Sequence, residues 1–98
     1  MDILISGKGM TVTESMKVYI NERMARLERF WGDLIRCHIE VSRNRHHRHG
    51  EVYVANAWIE SPGRDIRANA DATDYKQSID VLYEKLERLV VKAKDKLA

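Results

Sequence analysis

Two segments of the chain repeat their hydrophobic residues at helical spacing. The first stripe comprises Met16, Ile20, Met24, Leu27 and Trp31, and the second comprises Tyr75, Ile79, Leu82, Leu86, Leu89, Val90, Ala93 and Leu97. Because about 3.6 residues make one turn, each set falls on one face and predicts an amphipathic helix. Thr11 or Thr13 can cap the first helix, which ends at Gly32-Asp33, and Thr73 or Asp74 can cap the second.

Four other segments have the alternation, or the β-branched and aromatic content, of strands. They cover residues 2–8, 36–43, 51–60 and 66–71. In the second, Cys37, Ile39 and Val41 alternate with polar residues, and 61–64 (Ser-Pro-Gly-Arg) is a tight turn. The order β-α-β-β-β-α predicts a single α+β domain spanning residues 1–98. Its four-stranded sheet should carry both helices on one face and expose the other to water.

Composition limits the function classes. The chain has 98 residues, 44% of them hydrophobic and 33% charged, which is typical of a globular domain. A single cysteine, Cys37, excludes an intrachain disulfide and a cysteine zinc site. Hydrophobic runs stay short of the roughly 20 residues that span a bilayer, and the N-terminus lacks the apolar core of a signal peptide. We therefore expect a cytoplasmic protein that does not contact membranes.

The last predicted helix separates its charges by sign. Lys85, Arg88, Lys92 and Lys96 fall on one flank of the hydrophobic stripe, and Asp80, Glu84, Glu87 and Asp95 fall on the opposite side. Lys85 and Lys96 have no acidic residue three or four positions away, where helical ion pairs form. Such a cation row favours an anionic partner, of which a nucleic-acid backbone is the commonest long example. The alternative is a solvated lysine-rich helix. With a net charge of only +2, the argument depends on where the charge lies.

The first helix repeats this pattern more weakly. Arg23, Arg26 and Arg29 lie along one flank of its stripe, and we expect them to form a shared positive ridge with the cations of the last helix. Phosphate contact is one interpretation. For Arg23 the alternative is a side chain that covers hydrophobic surface while its charge reaches water. Glu22 can pair with Arg26 at helical spacing, which weakens the case for Arg26.

Residues 43–50 (Arg-Asn-Arg-His-His-Arg-His-Gly) form a predicted hairpin loop rich in arginine and histidine. Arg45 and Arg48 are candidates for additional phosphate contacts. Metal binding by His46, His47 and His49 is an alternative, but neighbouring arginines repel cations and the spacing is not that of known metal ligands. A solvated loop without function is a third possibility. We predict no metal site.

Catalytic motifs are lacking. Gly7-Lys8-Gly9 does not continue into a phosphate-binding loop, and the serines lack nucleophile motifs. The sequence therefore predicts a binding module, not an enzyme, with no cofactor and no small-molecule substrate.

The predicted element order and several helix residues resemble the ribosome hibernation-promoting factors, which include protein Y and the sigma-54 modulation proteins. In the first helix the similarity runs from Thr13-Glu14 to Leu27-Glu28. In the last helix the similar residues are Asp74, Ser78-Ile79-Asp80, Lys85-Leu86, Arg88, Lys92 and Lys94-Asp95-Lys96-Leu97. The chain departs from the family at Lys76, where an aromatic residue is usual, and Tyr75 lies one place earlier.

The resemblance implies a fold like that of double-stranded-RNA-binding domains. It also implies a site on the small ribosomal subunit, in the channel for messenger and transfer RNA, where the protein inhibits translation and stores inactive ribosomes. The implied ribosomal-RNA contacts are Arg23, Arg26, Lys85, Arg88, Lys92 and Lys96. The chain resembles the family's short form, expected to be a monomer off the ribosome, with a ribosome-dimerising factor as a further candidate partner. Alternatives are a general double-stranded-RNA-binding module and a regulator that binds a protein partner.

Overall fold

A computed structural model describes residues 1–47 and 50–97, and within them every side chain except those at 45–47 and 51. Its elements are β1 (Asp2–Lys8), α1 (Glu14–Ala25), a 3₁₀ turn (Arg26–Arg29), β2 (Arg36–His47), β3 (Gly50–Ser61), β4 (Arg64–Ala72) and α2 (Tyr75–Leu97). No helix in these ranges is both long and apolar enough to cross a membrane.

The strands form one mixed sheet in the order β1-β2-β3-β4. β1 pairs in parallel with β2, and α1 makes the crossover that such a pair needs. β2, β3 and β4 follow as antiparallel neighbours. The predicted α+β fold, with its β-α-β-β-β-α order, is confirmed.

The core lies between the sheet and the two helices. Cys37, Ile39 and Val41 of β2 are buried as predicted, and so is the whole predicted stripe from Met16 in α1 to Trp31 after the 3₁₀ turn. In the stripe of α2, Tyr75 is half-buried and the residues from Ile79 to Ala93 are buried except Leu89, which is 37% exposed; Leu97 is 53% exposed. The prediction that these two leucines face the core is therefore wrong, because both lie at the margin of the stripe.

The helix ends distinguish the capping candidates. The Thr13 side chain accepts a hydrogen bond from the Met16 amide at 3.3 Å, and Asp74 Oδ1 accepts one from the Lys76 amide at 3.1 Å. These residues, not Thr11 and Thr73, cap the helices. The predicted end of the first helix at Gly32-Asp33 is also wrong, since regular α-helix stops at Ala25.

The segment predicted to be a loop, 43–50, is mostly strand. β2 continues to His47 and β3 begins at Gly50, with an irregularity in the pairing between Asn44 and His47. Backbone pairing between long neighbouring strands here overrides the weak strand preference of these polar residues. At the β3–β4 turn the prediction holds, since Gly63 has φ 83°, the positive value expected there.

Candidate nucleic-acid interface

The cation row of α2 consists of four exposed residues: Lys85, Arg88, Lys92 and Lys96. Within the described ranges, none of them forms an ion pair with a carboxylate. Lys85 is held in place, because its Nζ donates a hydrogen bond to the Asn69 carbonyl of β4 at 2.8 Å. The row therefore lies along the side of α2 that packs on β4, with its charges available to an outside anion.

A groove of about 260 Å³ separates the end of this row from β4. Lys92 and Lys96 line one wall, and Arg64 and Arg67 line the other, with Asp65 as the acidic residue among them. Lys92, Lys96 and Arg64 make the groove suitable for a phosphate group, whereas the Arg67 guanidinium lies over the Trp58 ring on the other face of the sheet. Sequence reasoning missed Arg64 and Arg67, because their approach to α2 depends on how the β3–β4 hairpin packs under the helix.

The arginine cluster of the first helical segment, Arg23, Arg26 and Arg29, lies on the other side of α2. Arg23 Nε is 3.3 Å from Asp80 Oδ1, and the Arg23 guanidinium lies 5.0 Å from the centre of the Tyr83 ring. The same Asp80 oxygen accepts a hydrogen bond from Tyr19 at 2.5 Å. This hydrogen bond, with partial burial, raises the pKa of Tyr19. Arg23 thus links the two helices to each other.

The surroundings of Tyr83 locate the rest of the arginine cluster. Burial raises the pKa of the Tyr83 hydroxyl and nearby Glu87 raises it further, whereas the charges of the three arginines oppose the shift. All three guanidinium groups therefore lie within electrostatic range of Tyr83. Arg26 and Arg29 are exposed. In the described part of the chain neither forms an ion pair, and this includes the pairing of Arg26 with Glu22 that the sequence suggested.

The two cation sets consequently do not form the continuous ridge expected from the sequence. The acidic side of α2, with Asp80 and Glu87, faces the arginine cluster, while the cation row faces β4. This division arises because α1 packs against the Asp80 side of α2. The arginines of the first helical segment therefore lie on the acidic flank of α2, away from the cation row. The surface offers two cationic strips separated by carboxylates.

The remaining candidates lie outside the described residues. These are Arg48 and the side chain of Arg45, and also the imidazoles of His46, His47 and His49. In the part of the chain that the structure does describe, no group of histidine, cysteine, aspartate and glutamate side chains could hold a metal ion.

Comparison with known proteins relates this architecture to others. The chain is similar to the ribosome hibernation promoting factor of Azotobacter vinelandii, with 29% identity over 96 residues, 98% of this chain and 85% of that protein. It is also similar to the ribosome hibernation promoting factor of Escherichia coli K12, with 26% identity over 97 residues, 99% of this chain and 97% of that protein.

Solved structures share the fold. A ribosomal subunit interface protein from Coxiella burnetii superposes with a TM-score of 0.86 at 23% identity, covering 97% of this chain and 99% of its own. The N-terminal domain of protein Y from Thermus thermophilus gives a TM-score of 0.79 at 22% identity, covering 94% of this chain and 98% of its own. The family model described as sigma 54 modulation protein / S30EA ribosomal protein matches residues 3–98. The chain belongs to this family.

Proposed function

We propose that this protein is a ribosome-associated translation inhibitor. It binds the small ribosomal subunit in the channel that messenger and transfer RNA otherwise occupy, and holds the ribosome in an inactive, hibernating state. The main support for this proposal is the exposed cation row of α2, which forms no ion pair among the described residues and lies beside the basic groove at β4. Its relatives are named ribosome hibernation promoting factors, which supports the ribosome as the binding partner.

The mechanism is occlusion. The cation row and the arginine cluster neutralise phosphates of ribosomal RNA and release their counterions, so that docking is favourable and depends strongly on salt. The rigid α+β domain then fills space that messenger RNA and transfer RNA need. No bond is made or broken in this mechanism, and the protein acts as a regulator without a cofactor.

The six predicted RNA contacts contribute unequally. Arg88, Lys92 and Lys96 have no carboxylate partner in the described ranges and should supply most of the electrostatic affinity. Lys85 Nζ is anchored to the Asn69 carbonyl, so this residue adds position as well as charge. Arg26 is exposed and free to contact phosphate, whereas Arg23 is compensated by Asp80.

Charge reversal on α2 tests the proposal. The variant Arg88→Glu/Lys92→Glu should no longer sediment with small ribosomal subunits, because it replaces two phosphate contacts with two repulsive charges. Lys17→Glu, a single charge reversal, is the control. Lys17 is an exposed α1 lysine beside β1, outside both strips, and its only partner in the described ranges is the exposed Glu14. The control should sediment normally, and circular dichroism should show both variants folded.

Unchanged sedimentation of the double variant would reject this surface as the interface. A second comparison addresses specificity. Affinity for small subunits should exceed affinity for a generic RNA duplex at the same salt concentration. Equal affinities would favour a general double-stranded-RNA-binding module instead.

A further inference from the structure

The sheet face opposite the helices carries a row of large side chains that crosses all four strands. Leu4 of β1 is in register with His38 of β2, His38 with Trp58 of β3, and Trp58 with Arg67 of β4. Leu4 is 49% exposed although it is hydrophobic. We call these four residues the cross-sheet row. A sheet face that contacts only water usually carries polar side chains, so a row with an exposed leucine and, at its centre, a tryptophan indicates a binding surface.

Three members of the row, His38, Trp58 and Arg67, contact one another. The His38 and Trp58 rings stack with centroids 4.5 Å apart and planes inclined by 15°, and the Arg67 guanidinium lies 5.0 Å from the Trp58 ring centre. His38 Nε2 also donates a hydrogen bond to Glu60 at 3.0 Å. Stacked, hydrogen-bonded side chains lose little entropy when a partner binds, which favours recognition.

A hollow of about 590 Å³ lies along this row. Beside the cross-sheet row it is lined by polar side chains of the next register row: Ser6, Glu40, Asn56 and Asn69. The Trp58 Nε1 is buried and has no hydrogen-bond acceptor among the described residues. A partner carbonyl that reached this N–H after a small shift of Arg67 would satisfy it. Tryptophan and arginine at the centre of a polar hollow are typical of protein interfaces.

Charge decides between partners. Among the side chains that the structure describes, the carboxylates on this face are Asp2, Glu40, Glu60, Asp65 and Asp71, and the cations are Lys8, Arg36 and Arg67. The excess of acid repels a phosphate backbone, and it equally repels a second copy of the same face. A protein segment rich in lysine and arginine has the complementary charge.

We propose that the open sheet face docks a basic protein segment of the small ribosomal subunit while the helices contact RNA. The inference rests on the proposed function, because the ribosome brings this partner within reach. The cross-sheet row forms the centre of the interface, and the carboxylates around it select the basic segment.

Photo-crosslinking tests this assignment. The crosslinking residue p-benzoylphenylalanine replaces Leu4, at the exposed end of the row, and in a control it replaces Val18, an α1 residue that is 55% exposed. Both proteins are irradiated on small subunits after sedimentation confirms that they are bound. The Leu4 position should label a ribosomal protein whose crosslinked peptide, identified by mass spectrometry, is lysine- and arginine-rich. The Val18 position should not label that protein.

A second variant pair tests the role of charge. In the crosslinking background, Glu40→Lys should reduce the yield about threefold or more, because it opposes the basic segment. Asp33→Lys makes the same charge change in the loop after the 3₁₀ turn and should leave the yield unchanged. Three results would overturn the proposal. The Leu4 position could label ribosomal RNA, it could label no ribosomal protein although the variant is bound to the subunit, or the Glu40→Lys and Asp33→Lys variants could give equal yields. Failure of the unmodified protein to sediment would reject the proposed function, and this inference with it.

Discussion

The charge of Asp80 should increase the stability of the fold and decrease the affinity for RNA. Its carboxylate pairs with Arg23 and accepts the Tyr19 hydrogen bond, so it fastens α1 to α2. It also places a negative charge between the two cationic strips. The variant Asp80→Asn keeps an oxygen that can accept the Tyr19 hydrogen bond but removes the charge. We expect this variant to be less stable and to bind small ribosomal subunits more tightly.

The magnitudes follow from exposure. The Arg23 and Asp80 side chains are 26% and 39% exposed, so solvent screens their ion pair. Losing it, and weakening the Tyr19 hydrogen bond, should cost about 1 kcal/mol. For a domain of this size that lowers the melting temperature by about 4–8 °C. Freed Arg23 can add one phosphate contact, which at about 0.1 M salt raises the affinity about 5- to 8-fold.

Two controls isolate the cause. Asp95→Asn removes the same charge from α2 at an exposed position that forms no ion pair among the described residues, so it should change the melting temperature little. Its affinity gain should be smaller, since it frees no arginine. In Asp80→Asn/Arg23→Gln the additional gain should disappear. Titration with fluorescent protein measures affinity, and thermal denaturation followed by circular dichroism measures stability. An affinity of Asp80→Asn equal to that of Asp95→Asn, or lower than wild type, would refute the reasoning.

Three further predictions concern salt, pH and the thiol. The logarithm of the affinity for small subunits should fall linearly with the logarithm of the salt concentration. The slope should be about −3.5 to −4.5 for five phosphate contacts, since Arg23 is held by Asp80 in the wild type, and Lys92→Gln should reduce it by about 1; a slope near zero contradicts phosphate binding. A hydrogen bond from His38, helped by Arg36, lowers the pKa of Glu60 from its ordinary 4.5, so this carboxylate stabilises the fold above that pH and the contribution is lost as the pH falls through the lower folded-state pKa. Glu60→Gln should flatten the loss of stability below pH 4.5 in acid-denaturation curves; an unaltered curve would argue against the coupling. Burial raises the pKa of Cys37 to about 12, so a thiol reagent at pH 8 should label it only as fast as the protein opens, and rapid labelling of native protein would contradict its burial.

The elements of the fold were predictable because they depend on local periodicity. The stripe from Met16 to Trp31 and the alternation through Cys37 and Val41 each record a buried face directly in the sequence. The length of β2 was not predictable in this way. Its last residues pair because β3 lies beside them, and their own side chains give no indication of this.

In the candidate site, too, the features within one element were predictable and the contacts between elements were not. The cation row of α2 was visible because one helix carries all four residues. The ion pair of Arg23 with Asp80 joins helices far apart in the chain, and the approach of Arg64 to Lys96 needs the hairpin to pack under α2. Neither contact produces a periodic pattern in the sequence. The sequence therefore predicted one continuous cationic ridge, whereas the structure has two separate strips.

The position of β1 has a consequence for the motions of the molecule. β1 is an edge strand, paired on one side with β2 and covered on one face by α1. β1 and α1 could therefore detach as one cooperative unit while β2, β3, β4 and α2 kept their mutual pairing. Because Arg23, Arg26 and Arg29 belong to that unit or follow it directly, such opening would separate the two halves of the cationic surface. Hydrogen exchange should accordingly be fastest in β1 among the strands, and ribosome binding should slow it.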